Sequence, residues 1–358
     1  MEINSSPNKL DNIKSNFILK KVFENLQIIK SLIIVKYNKK IQKRLNVDIQ
    51  NYEKYCQIEI EVIPLENNIG PFINFIKINE DEDEKYYHIY FNNNYKEEIK
   101  RQYLYYNEKI ENIKIIIDYQ VKSLYKLFYD CKRNYSISFK RFNKNTIINM
   151  NKMFSRCPSL KQLDLSNFNT KNVTDMGSMF SGCSILEKIN LNNFNTNNVT
   201  NMSYMFYGCF SLEKLEFTNF NTNNVNNMCS MFGGCASLKE INISNFNTNN
   251  VTNMNKMFFC CKSLKAINLL NFNTPNLFDM SQMFDGCETL EKINLENFNL
   301  NNVMNMSYLF SDCYSLNEVN LPKFKSNNTI DMNKMFFRCS EELKKKIQKI
   351  NMKKEAFL

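Results

Sequence analysis

The chain has 358 residues, 43% of them hydrophobic and 23% charged, with a formal net charge of +10. That apolar content supplies a sizeable core and excludes a chain unfolded throughout. No apolar run approaches the ~18–20 residues of a membrane-spanning helix, and residues 1–17 lack the basic start and apolar stretch of a signal peptide. The expected compartment is therefore the cytoplasm or the nucleus, where the twelve cysteines are expected to be thiols.

The charge is uneven. Nine basic residues lie between Lys14 and Arg44 against Glu24 alone, whereas the region from Met150 to Cys339 is nearly neutral. Such a basic stretch reads as a solvated helix surface, and nucleic acid is not the expected partner. Heavy use of Asn, Ile and Lys reads as nucleotide bias rather than chemistry.

Residues 1–12 are polar and expected to lack fixed structure. Phe17, Ile18, Val22, Leu26, Ile29 and Leu32 then recur at helical spacing, predicting short amphipathic helices within a module at 13–60. A mixed linker or capping region follows at 61–110. Within these two stretches, residues 55–64 (YCQIEIEVIP) alternate like a strand ending at Pro64, Gly70-Pro71 marks a turn, and 86–91 form a second strand carrying the only histidine, His88, in a structural role. Residues 96–109 are expected to be helical. Ile113–Ile117 is expected to open a repeat array over 111–340.

Cysteine and phenylalanine reveal the array. Cys131, Cys157, Cys183, Cys209, Cys235, Cys261, Cys287, Cys313 and Cys339 recur every 26 residues. Phe128, Phe154, Phe180, Phe206, Phe232, Phe258, Phe284, Phe310 and Phe336 keep step three positions earlier. A period of this length denotes stacked repeats. In one unit, Ile189 and Leu191 alternate with polar residues as a short strand. Val199, Met202, Met205, Phe206 and Cys209 then share a helical stripe. Thr170, Thr196, Thr222, Thr248 and Thr274 are the expected N-caps, and Gly182, Gly208, Gly234 and Gly286 the expected left-handed residues closing each helix. The fold class is therefore α/β: a solenoid of about nine rungs, a parallel sheet on one face and a helix layer on the other. A capping helix at 341–358 would cover its end with Leu343, Ile347 and Ile350.

The repeat MF-x-x-C-x-S-L-x-x-I-N-L-x-N-F-N-T-x-N-V-T-N-M resembles the BspA-like leucine-rich repeat family over about eight rungs. The resemblance implies a leucine-rich-repeat-type solenoid that binds other macromolecules. Many bacterial members are surface proteins or adhesins, and this chain departs from them in showing no export signal. Residues 16–46 are similar to an F-box, although the Leu-Pro opening is missing. That resemblance implies a substrate-recognition adaptor of a cullin ubiquitin ligase, with Leu19, Val22, Phe23 and Leu26 contacting a Skp-type protein.

An enzyme is not expected, nor a cofactor or metal. The chain has one histidine, no Gly-rich phosphate loop, no GxSxG and no Cys/His cluster with zinc spacing. The cysteine ladder reads as a column of small buried hydrophobes. The leading expectation is an interaction scaffold, with a ligase adaptor and a surface adhesin as alternatives. The candidate contacts are Tyr204, Tyr207, Phe210 and Tyr308 on the outer helix positions and nearby turns, and Lys188, Lys214 and Glu240 on the outward strand rows.

Overall fold

The computed structural model describes residues 13–16, 18–19, 38–45, 53–66, 69–75, 83–144, 146–322, 330–348 and 354–357. The fold is α/β with several sheets and few helices. Helix α1 (Lys39–Leu45) buries Ile41, and its Arg44 guanidinium donates to Asn16 Oδ1 and to the Ile13 and Lys14 carbonyls.

Within the expected module at 13–60, the described residues are helical at 39–45 and 53–55 and extended from Ile58. Residues Ile58–Pro64 form strand β1, as their alternation predicts, and β1 lies at the centre of a five-stranded sheet. The next strands are β2 (Gly70–Pro71), β3 (Tyr87–Phe91), β4 (Tyr103–Leu104), β5 (Ile113–Ile117), β6 (Asn134–Phe142) and β7 (Gln162–Asp164). The sheet order is β3-β5-β1-β6-β7. Ile60 and Ile89 both face Ile115 across antiparallel pairs, so the apolar row of each strand meets the next. On the other face Glu59 pairs with Lys114 and Arg141, and Glu61 with Lys140.

Three expectations are overturned here. Ile113–Ile117 does not open the array, because its alternating isoleucines complete the antiparallel sheet between β1 and β3. Gly70-Pro71 is not a free turn but pairs with Tyr103–Leu104. The region 96–109 is not helical, since Tyr103-Leu104 alternates exposed and buried as a strand.

The array begins at Ser123, which bridges in parallel to Asn149, and on its strand side β6 pairs in parallel with β7. From there the rungs stack in the 26-residue register. A continuous series of parallel bridges runs through Ser123, Asn149, Asp175, Asn201, Asn227, Asn253, Asp279, Asn305 and Asp331. The phenylalanine column is an unbroken stack from Phe128 to Phe336, with centroids 5.3–5.9 Å apart. Every ladder cysteine is buried, and all twelve cysteines are free thiols.

The predicted helix of each rung is absent. Residues 202–209 instead form three overlapping turns, closed by N–H donation from Met205 to Met202 O, Tyr207 to Tyr204 O and Cys209 to Phe206 O. The intervening N–H groups leave the rung: Met202, Tyr204, Phe206 and Gly208 donate to Asn227, Cys229, Met231 and Gly233 at 2.8–3.1 Å. Left-handed residues at Tyr204 (φ 56°) and Gly208 (φ 70°) make this alternation possible. The glycine column is left-handed as expected, but it closes a turn. The threonines are not N-caps either. Buried Thr222 Oγ1 donates to Asn247 O (2.8 Å) and accepts from Asn247 N–H (2.7 Å) in the next rung.

The turn-segment N–H groups all donate toward the C-terminal end of the stack, whereas those of Thr174, Thr200, Asn226 and Thr252 donate back to the preceding rung. The ends are therefore unlike. At the first rung Asn74 supplies donors: its N–H reaches Leu127 O (2.7 Å) and its side-chain amide the Lys126 and Tyr129 carbonyls. At the last rung the carbonyls of Glu355 and Ala356 accept from Lys334 and Phe336, while Phe357 stacks on Phe336 at 5.8 Å. Helix α2 (Glu341–Gln348) buries Leu343 and Ile347 as expected; Ile350 lies outside the described residues.

The strand face is discontinuous. Beyond β7 there are two further parallel pairs, β8 (Lys214–Glu216) with β9 (Glu240–Asn242), and β10 (Lys292–Asn294) with β11 (Glu318–Asn320). Order along the stack is thus carried by the turns rather than by one sheet.

Candidate interaction surfaces

The turn segment positions the aromatic candidates. Tyr204 is 40% exposed, Tyr207 38% and Phe210 54%. The left-handed conformation of Tyr204 directs its ring away from the buried Met202 and Met205, and it meets Tyr207 edge to face at 5.6 Å. Tyr207 rests on the next rung at Gly233, where a Cβ would lie 3.0 Å from the ring. Phe210 reaches across Gly208 and Gly234. The glycines of the following rung therefore seat these rings as well as closing turns. Cys229 Sγ, from that rung, lies 3.7 Å from the Tyr204 hydroxyl. Tyr308 does not join the group. It sits four rungs further along, half-buried, with the Lys334 ammonium 5.6 Å from its ring centroid.

The charged candidates occupy the strand segment. Lys214 stands opposite Glu240 in the β8–β9 register and pairs with Glu216 at 2.9 Å, which raises its pKa. Lys188 and Lys214 line one cleft of about 540 Å³, together with Ile189 and Leu191. Glu240 lines a second, of about 640 Å³, with Ile241 and Ile267. Each cleft lies at a break in the strand ladder.

The ladder residues Cys157, Cys183, Cys209, Cys235, Cys261, Cys287 and Cys313, and Phe180, Phe206, Phe232, Phe258 and Phe284, are interior and form no surface. Of the adaptor-contact set, Leu19 is buried, whereas the role requires exposure. Val22, Phe23 and Leu26 lie outside the described residues. His88 is placed as a bridge, Nδ1 2.8 Å from Glu98 and Nε2 3.2 Å from Asp118.

Sequence reasoning missed one surface. Tyr95, Tyr103, Tyr105 and Tyr106 are exposed beside β3 and β4, and Arg101 lies 4.6 Å from the Tyr105 ring centroid while paired with Glu108. The signal was the Tyr-Leu-Tyr-Tyr run at 103–106, hidden by a helical reading of the segment.

No helix among the described residues is long and apolar enough to cross a membrane. No curated protein matches the chain. Among solved structures, a leucine-rich repeat protein of T. pallidum is similar at 19% identity, covering 62% of this chain and 92% of its own, with a TM-score of 0.31. Matches to one family span residues 122–241, 187–268, 211–293 and 260–356, which together cover the stacked rungs and about two thirds of the chain. On that coverage the chain belongs to the family described as Mycoplasma protein of unknown function, DUF285.

Proposed function

We propose that the chain is a non-enzymatic protein–protein interaction scaffold built on a leucine-rich-repeat-type solenoid. The observation that carries this reading is the division between inner and outer positions of the rung. The Met, Phe, Cys and Thr columns recur with few changes and are used in packing and inter-rung hydrogen bonds. The outward columns change from rung to rung, as in Phe210, Ala236, Lys262, Glu288 and Tyr314. A fixed frame with variable outer positions suits recognition of a particular macromolecule.

The test is affinity capture from cell extract with the full chain as bait, beside two variants. One carries Tyr204→Ser, Tyr207→Ser and Phe210→Ser; the other carries Lys188→Glu and Lys214→Glu. The expected result is a specifically retained protein that one variant loses while keeping the wild-type thermal midpoint. Absence of any specifically retained protein would remove the scaffold reading.

A further inference from the structure

The turn face of the array is unbroken, whereas the strand face is interrupted at residues 187–190 and 266–268. The first interruption is informative because its sequence is that of a strand. Ile189 is half-buried between exposed Lys188 and Asn190. Gln162-Leu163-Asp164 and Lys214-Leu215-Glu216 show the same polar-apolar-polar order in β7 and β8. Yet among the described residues the backbone N–H and C=O groups of 187–190 have no hydrogen-bond partner. β7 pairs only with β6 and β8 only with β9, so both edges facing this rung are also free.

Unpaired main-chain groups beside a free strand edge are the feature that an added strand satisfies. The cleft at this break has an apolar floor at Ile189 and Leu191. Its charges are mostly neutralised within the array: Lys214 pairs with Glu216, Lys239 with Glu213 and Lys161 with Glu187. Lys188 has no carboxylate within ion-pair distance among the described residues. At the second break Ala266 occupies the equivalent position, so only the first offers a cation there.

We propose that the cleft between residues 187–192 and β8 docks an extended segment of a protein partner, alternating acidic and apolar residues, whose backbone completes the interrupted ladder. The segment's apolar side chains lie on Ile189 and Leu191, and an acidic one meets Lys188. This proposal rests on the scaffold reading and names the chemistry of its partner.

The probe is a capped synthetic peptide of alternating valine and glutamate, titrated into the full-length chain by fluorescence anisotropy. Two control peptides accompany it. One is methylated at alternate backbone nitrogens, and the other has lysine in place of glutamate. Each is expected to bind at least about tenfold more weakly, which is one unit on a logarithmic affinity scale. Lys188→Glu should invert the preference between the glutamate and lysine peptides. No binding at millimolar peptide, or equal binding of the methylated form, overturns the proposal. Because methylation alters only the probe, that comparison is independent of any folding defect in a variant. A partner retained in extract by both wild type and Lys188→Glu would leave the scaffold standing while removing this cleft as its site.

Discussion

The thiol of Cys235 donates to the carbonyl of Phe206 in the preceding rung, Sγ to O 3.2 Å. The same bond repeats from Cys157 to Phe128 through Cys339 to Phe310, at 2.9–3.2 Å. Each accepting carbonyl also receives the cysteine N–H of its own rung, so the S–H takes its second lone pair. The cysteine column is therefore more than a small apolar filler.

Burial gives that column a consequence for pH. It pushes the Cys183 and Cys235 thiols up to about 12, from an ordinary 9.0. A raised folded-state pKa leaves stability intact below pH 9 and removes it as pH climbs toward 12. Within that window each such thiol costs about 1.4 kcal/mol per pH unit. Lys144 works oppositely. Burial lowers its pKa to about 8, so stability from that one group rises between pH 8 and 10.5. The urea midpoint of the wild type should fall steeply above pH 9, and a Cys183→Ala, Cys235→Ala variant should fall less steeply. Parallel pH profiles would show that these thiols are not excluded from ionisation by the fold.

Glycine closes a turn in four rungs, but its surroundings differ. At Gly286 (φ 73°) a Cβ would lie 2.9 Å from Cys260 Sγ, whereas at Gly208 (φ 70°) its nearest neighbour would be 3.8 Å away. Both alanine substitutions incur the left-handed backbone cost, about 1–2 kcal/mol. Gly286→Ala adds a steric contact in a packed stack and should lower the denaturant midpoint further than Gly208→Ala. Equal losses would mean that Cys260 yields freely.

The repeat, its register and its buried columns were legible because side-chain identity recurs at one period. The helix was not, because three overlapping turns and a helix place Met202, Met205, Phe206 and Cys209 on the same stripe. They differ in where alternate N–H groups donate, and side-chain periodicity carries no record of that. Asparagine was misread for a related reason. Its abundance looked compositional, yet Asn201 Oδ1 accepts from Ser203 N–H, and Asn198 and Asn224 donate to carbonyls of the preceding rung. The broken strand face was likewise invisible, since residues 187–190 read as a strand whether or not their backbone is paired.

The threonine column separates hydrogen bonding from volume. Thr222→Val keeps the shape but leaves the partly buried Asn247 N–H and C=O without their partner. Such an orphaned group costs about 1–3 kcal/mol. Thr222→Ser retains the hydroxyl and loses only a methyl. Chemical denaturation should therefore rank serine above valine at this site. The reverse order would indicate that packing of the methyl dominates.

The two ends of the stack lead to the final prediction. Phe232 is stacked between Phe206 at 5.9 Å and Phe258 at 5.3 Å, with Phe217 against its side. Removing it leaves a cavity in the middle of the array, for which about 3–5 kcal/mol is typical. Phe336 has neighbours on both sides only because Phe357 supplies the last ring. Nearest-neighbour coupling makes a central break interrupt the whole stack, whereas a terminal break frays one rung. Phe232→Ala should thus lower the global unfolding midpoint more than Phe336→Ala. Phe357→Ala should change that midpoint least, yet accelerate amide exchange at Lys334 and Phe336, whose N–H groups rely on the Glu355 and Ala356 carbonyls. Hydrogen exchange resolved by residue reads both effects. Unchanged protection at those two amides would show that the tail adds nothing to the end of the stack. A larger midpoint loss for Phe336→Ala than for Phe232→Ala would contradict an array whose stability is set by its central rungs.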